Sequence, residues 1–201
     1  MPTLYDLKPR FQAVLRPVAA WCARAGISAN AVTSAAAVMS VLLGVITAVT
    51  GSRWLLACYP LFLLLRMALN AIDGVLAREL FRPTPLGGLL NELGDLVSDA
   101  ALYLPLAVVL PAPPWLVVVI VVVAGFAEAA GIAAATIGAS RRYDGPFGKS
   151  DRALAFSVLA LVAAMGVPSA RWLPAVLCVL LGLAVWTVVN RVRAAVAEAA
   201  R

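Results

Sequence analysis

Histidine is absent from this 201-residue chain. Its absence excludes imidazole acid–base catalysis and imidazole metal ligation. Any metal must then be held by oxygen, which suits Mg2+, Mn2+ or Ca2+ rather than Zn2+ or Cu2+. Cysteine is scarce: Cys22, Cys58 and Cys178 show no metal-binding spacing and read as small apolar residues in helices. Charge is scarce too. Only 13% of residues are charged, with ten acids against sixteen bases and a net charge of +6. In so apolar a chain that excess fits a positive-inside bias and anionic lipid headgroups rather than nucleic acid. Internal repeats and low-complexity tracts are missing. The start, Met1 to Lys8, lacks an apolar run followed by a small-residue cleavage site, so no cleaved signal peptide is expected.

What fills the chain is apolar. Hydrophobic residues make up 63% and mean hydropathy is +0.97. A soluble domain carries roughly 45–50% apolar residues. The length suits about six spans of roughly 20 residues each and leaves no room for a soluble domain. The expected fold is therefore an all-α membrane protein, one domain over 1–201, with an interfacial helix at 3–24 and a six-span bundle over 31–190. The first segment mixes Lys8, Arg10, Arg16 and Arg24 with Leu4, Phe11, Val14, Leu15, Val18 and Trp21, an amphipathic pattern interrupted by Pro9 and Pro17. Spans are expected at 31–50, 54–77, 88–110, 115–139, 153–166 and 172–190. With both termini inside, Arg53 and Arg171 lie outside, Arg66 lies within span 2, and the other thirteen bases are cytoplasmic. That distribution supports an N-in, C-in topology.

Five of the ten acids, Asp73, Glu79, Glu92, Asp95 and Asp99, fall between residues 70 and 99. Ionisable groups in membrane-grade helices are expensive, so these are functional candidates. Asn70, Asp73 and Ala77 share one helix face, and Asn91, Asp95 and Asp99 share another. The topology sets the two runs opposite each other at the cytoplasmic ends of spans 2 and 3. Asn70, Asp73, Asn91 and Asp95 then offer an all-oxygen cage for a hard divalent cation. Such an ion can hold a diphosphate and neutralise charge during phosphoryl transfer. Gly74 and Ala77 leave room for a flat group, and Arg78 can pair with a phosphate. The plainer reading of the same residues is helix–helix packing by small and polar side chains.

These residues resemble the signature of the CDP-alcohol phosphotransferases. That pattern runs Asp-x-x-Asp-Gly-x-x-Ala-Arg, eight residues, then Gly-x-x-x-Asp-x-x-x-Asp. Here Asp73-Gly74-x-x-Ala77-Arg78 is followed after eight residues by Gly87, and positions 91 and 95 follow at four-residue steps. The resemblance extends to Ala29-Asn30-Ala31-Val32-Thr33 and to the six-span plan, and the loop Gly145 to Ala153 looks like that of a divergent bacterial branch. It implies a metal-dependent enzyme of the bacterial inner membrane, its site facing the cytoplasm. Such an enzyme transfers a phosphatidyl-type group from a CDP-linked lipid, such as CDP-diacylglycerol, to a small or lipid alcohol, with release of CMP. Asp73 and Asp95 would be catalytic and metal-binding, with Asp95 the general base. Gly74, Ala77, Arg78, Gly87, Asn30 and Thr33 would bind CDP. Homodimers are common in the family.

The chain departs from the pattern where Asn70 and Asn91 replace two aspartates. Two carboxylates offset one divalent charge, so one tightly held Mg2+ or Mn2+ is expected rather than two. Asp99, one turn beyond Asp95, and Arg66, one turn before Asn70, fall at matching depth and are expected to pair; a share of Asp99 in metal binding is the alternative. Glu128, inside span 4, has no partner evident in the sequence and reads as a structural group in the bundle. Lys149, Arg152 and Arg142 have two readings: topology signal with headgroup contact, or an acceptor-phosphate pocket. Asn30 and Thr33 read equally as helix caps. Two rival functions stand beside the enzyme: a catalytically degenerate protein that binds a CDP-lipid or metal, and an intramembrane prenyltransferase. The prenyltransferase would need a second aspartate-rich motif that spans 4–6 lack.

Overall fold

A computed structural model describes residues 8–201, with side chains from Phe11 onward. The expected interfacial segment 3–7 and the side chains of Lys8 and Arg10 lie outside the described residues. Every regular element among those residues is helical. The helices are α1 (Lys8–Arg24), α2 (Ala29–Thr50), α3 (Arg53–Val75), α4 (Pro85–Tyr103), α5 (Leu106–Val109), α6 (Pro114–Ala133), α7 (Lys149–Ala164) and α8 (Leu173–Ala199). A π-helical turn, Leu76–Leu80, extends α3, and a 3-10 turn, Ala134–Ile137, extends α6.

Among the described residues four helical segments are long and apolar enough to cross a membrane: Ala29–Thr50, Arg53–Leu80, Pro114–Ile137 and Leu173–Ala199. The regions expected as spans 3 and 5 look different. One helix was expected over 88–110. The chain instead closes α4 at Tyr103 and restarts as α5 at Leu106. Pro105, between them, has no N–H to donate back to the preceding turn. α7 has 16 residues, three of them charged within its first turn. The opposite correction applies at Pro17: α1 was expected to be interrupted there, yet it runs through from Lys8 to Arg24. Pro9 sits in the first turn, where a missing N–H leaves no hydrogen bond unmade.

Residues group into two compact units, Met1–Leu102 and Tyr103–Arg201. In the first, α1 and α2 both pack on α3. Ala19, Cys22, Val32, Ile72, Val75 and Leu76 form a buried cluster that fixes the C-terminal end of α3 against α1 and α2. Farther along α2, Gly44 meets the Ala101 carbonyl of α4; a Cβ at Gly44 would overlap that oxygen. Bare backbone at such crossings is how apolar helices come close. In the second unit, α6 packs along α8, and Tyr103 stacks on Phe156 with ring centroids 4.1 Å apart.

Candidate functional site

The site in the first unit begins with how α2 starts. Ser28 is the N-cap of α2, its side chain accepting from the Ala31 N–H at 3.2 Å. Asn30 and Thr33 are thus inside the helix and do not cap it. Thr33 Oγ1 donates to Asp73 Oδ2 at 2.7 Å, joining α2 to the buried acid of α3. Thr33 and Asp73 are both buried, so that hydrogen bond is shielded from competing water.

Beyond Asp73, α3 widens into the π-helical turn that carries Arg78. Such turns are often found at functional sites. The space beside Gly74 has a specific use: a Cβ there would stand 2.6 Å from Arg78 Nη2. Gly74 therefore admits the guanidinium of Arg78, where the sequence suggested room for a flat ligand alone. A Cβ on Gly87 would likewise stand 2.8 Å from Asn30 Oδ1, so Gly87 lets the start of α4 close on α2. Thr84 Oγ1 accepts from the Gly87 N–H at 3.0 Å and starts that helix.

These features enclose a cavity of about 370 Å3. Its wall includes Asn30, Thr33, Asp73, Gly74, Ala77, Arg78, Gly87 and Asn91. It also includes Ser28, Phe81, Arg82 and Thr84, which sequence reasoning did not single out. Asn70 and Asp95 are not part of that wall. They meet each other: Asn70 Nδ2 donates to Asp95 Oδ1 at 2.8 Å. Arg66, 2% exposed, joins them, with Nη1 2.5 Å from Asp99 Oδ1 and Nη2 3.4 Å from Asp95 Oδ1. Its Nη2 also donates to the Asp95 carbonyl at 3.0 Å. The contact of Arg66 with Asp95 was not foreseen; it depends on how α3 and α4 are rotated about their axes.

The expected donors are all oxygens, the type a hard divalent cation takes. Asp73 and Asp95 carry two negative charges, and Asn70 and Asn91 add neutral amide oxygens. Arg66 already brings a full positive charge to Asp95. Among the described residues no three His, Cys, Asp or Glu side chains cluster as a ready-made site.

Lys149, Arg152 and Arg142 belong to the second unit. Lys149 opens α7, where Asp151 Oδ2 accepts from the Gly148 N–H at 3.0 Å. Arg152, 1% exposed, places Nη2 2.8 Å from Glu128 Oε1. Glu128 therefore has a partner, and more than one: Arg191 Nη1 lies 3.1 Å from Oε2 and Arg141 Nη2 lies 3.6 Å from it. Arg142 is held by Asp144 and Glu198. Hydrogen bonding to Asp144 raises the Arg142 guanidinium further above its ordinary value.

The sequence model of the family described as CDP-alcohol phosphatidyltransferase matches residues 26–189. The inner membrane protein YnbA of Escherichia coli (strain K12) is 41% identical over 191 residues, which is 95% of each chain. The solved structure of Mycobacterium tuberculosis phosphatidylinositol phosphate synthase with CDP-DAG bound gives a TM-score of 0.68 at 21% identity. That match covers 93% of this chain and 94% of the other. It shows a common fold.

Proposed function

The chain belongs to the CDP-alcohol phosphatidyltransferase family, and from that premise we propose that it transfers a phosphatidyl-type group from CDP-diacylglycerol to an alcohol, releasing CMP. The observation that carries this reading is the cavity whose wall holds Asp73, Gly74, Ala77, Arg78, Gly87 and Asn91. Its size is within the usual range for small-molecule sites, about 300–1,000 Å3. The prenyltransferase alternative lapses with the family assignment. The whole chain is read as one phosphotransferase domain of the inner membrane, six-spanning, with both termini and the site on the cytoplasmic side.

The chain's own residues divide the work. Arg78, seated beside Gly74, pairs with a phosphate oxygen of the donor. Gly74 and Ala77 give the cytidine a smooth helix face, and Asn30, Thr33 and Gly87 shape the opposite wall. Asp95 takes the proton of the acceptor hydroxyl as its oxygen bonds to the lipid-side phosphorus, and the bond from that phosphorus to the oxygen of CMP breaks. Asn70 and Arg66 orient the Asp95 carboxylate for that step. Asp73, Asp95, Asn70 and Asn91 would hold one Mg2+ or Mn2+, which when bound neutralises charge on the diphosphate. The test is purified protein with CDP-diacylglycerol, Mg2+ or Mn2+ and a panel of alcohols, scored by CMP and lipid product. CMP release is expected from the wild type and should fall at least about a hundredfold in Asp73→Asn and in Asp95→Asn, the scale of losing a general base. Release that persists in both variants would remove the enzyme reading.

A second reading, a CDP-lipid binding protein without turnover, is favoured by one observation: Asp95 is already engaged by Arg66 and Asn70. It predicts CDP-diacylglycerol binding by the wild type with no CMP from any acceptor.

A further inference from the structure

Glu128 is the one acid in the described part of α6, and it is surrounded by arginines. Its carboxylate meets Arg152 at 2.8 Å, Arg191 at 3.1 Å and Arg141 at 3.6 Å. Those arginines come from α7, α8 and the loop between α6 and α7. The side chains are 1%, 2% and 30% exposed, and that of Glu128 is 12% exposed. Several of the other donors are also engaged locally. Arg191 Nη1 donates to the Ala127 carbonyl at 2.7 Å and its Nε to the Asp144 carbonyl at 3.2 Å. Arg152 Nη1 donates to the Phe147 carbonyl at 3.3 Å. Arg142, the next base in the loop, is taken by Asp144 and Glu198.

Converging guanidiniums are the arrangement proteins use to hold a phosphate. Here the anion they hold is a side chain of the protein itself. We infer that Glu128 is a specificity-determining residue that fills the arginine set from within, so that the acceptor is an alcohol carrying no phosphate. This rests on the phosphotransferase reading above and on the second of the two readings of Arg152, as part of the acceptor pocket. The physical reason is desolvation. A phosphorylated acceptor would have to displace a buried carboxylate from two buried guanidiniums, or place its dianion beside that carboxylate. Like charges brought together in a site shielded from water oppose binding strongly. An uncharged or zwitterionic polyol meets neither obstacle.

Two measurements test this, and one of them needs no turnover. The first is thermal melting of wild type, Glu128→Gln and Glu128→Asp with inorganic phosphate at about 10 mM, or with chloride at equal ionic strength. A ligand that binds the folded state raises its melting temperature. Phosphate is expected to raise that of Glu128→Gln by several degrees and to leave wild type and Glu128→Asp unmoved. A purely structural carboxylate predicts a lower melting temperature for Glu128→Gln that phosphate does not restore; that result, or equal phosphate stabilisation of the wild type, overturns the inference.

The second measurement offers matched acceptors, glycerol against glycerol phosphate and inositol against inositol phosphate, and reads CMP. Wild type is expected to favour the unphosphorylated member, and Glu128→Gln to shift that ratio of kcat/KM toward the phosphorylated one by about tenfold or more, the scale of one close charge pair. A wild type that prefers the phosphorylated member overturns the acceptor class. If no acceptor gives CMP, the transfer reading and the acceptor class fall together, while the phosphate-dependent melting still decides what Glu128 does.

Discussion

Gly74 and Arg78 stand one helical turn apart, and the first exists so that the second can lie across it. Gly74→Ala would put a methyl group 2.6 Å from Arg78 Nη2, so the guanidinium must swing away. The backbone at Gly74 is ordinary helix, so the change is not one of conformation. The expected outcome is a fall in kcat/KM for the CDP-lipid of about tenfold or more, since misplacing a positioning group by an ångström is worth that much. Melting should stay close to wild type. Asp99 makes the contrasting case. Its pairing with Arg66 holds a 2% exposed guanidinium, and Asp99→Asn would remove the shorter of that group's contacts with Asp99 and Asp95. Removing one partner of a buried pair destabilises by about 3–5 kcal/mol, and the low end is expected because Asp95 remains. The double change Arg66→Met with Asp99→Asn should recover part of the loss. Melting that matches wild type in Asp99→Asn would mean the pair contributes nothing to stability.

Helices α2 and α4 meet where Gly44 faces the Ala101 carbonyl, about two turns beyond Asp95 on α4. Gly44→Ala puts carbon into space held by rigid backbone, so the helices must separate. Overpacking of this kind costs about 1–3 kcal/mol. Melting should fall by that measure, and CMP release should fall with it because α4 carries Asp95 and Asn91. Much of this element scale was legible in the sequence. Four of the expected apolar runs are single long helices, and the motif residues 73, 74, 77, 78, 87 and 91 line one cavity because helical spacing keeps them on facing surfaces. Proline was the poorer guide. Pro17 and Pro60 lie within continuous helices, while Pro105 stands at a break. A missing N–H is decisive only where nothing else holds the turn. Contacts that depend on helix rotation were out of reach: Arg66 with Asp95, and the arginines around Glu128, which come from 13 to 63 residues away. One signal was present for Glu128. An acid inside an apolar helix demands a countercharge, and Arg152 and Arg191 stood at the ends of neighbouring apolar runs.

For the molecule as a whole, charge and helix length point to different membrane crossings, and the difference can be measured. Length and hydropathy admit four crossing segments among the described residues. α7, at 16 residues, spans only ~24 Å at 1.5 Å per residue, short of a hydrocarbon core of ~30 Å. If only those four segments crossed, the stretch 110–113 would lie inside, and Arg141, Arg142, Lys149 and Arg152 would lie outside. That placement sets four bases against the positive-inside rule. If α4 with α5 forms one crossing and α7 another, the same four bases return to the cytoplasm and only Arg53 and Arg171 remain outside. A short α7 is then accommodated by local thinning of the bilayer or by its charged first turn reaching the headgroups. Two positions separate the arrangements. In a background with Cys22, Cys58 and Cys178 changed to Ser, Ala112→Cys and Ser140→Cys would be exposed to a membrane-impermeant maleimide in intact spheroplasts. The six-crossing arrangement predicts labelling at Ala112→Cys at once and at Ser140→Cys only after the membrane is opened. The reverse pattern would place Arg141, Arg142, Lys149 and Arg152 outside and would remove the six-crossing arrangement.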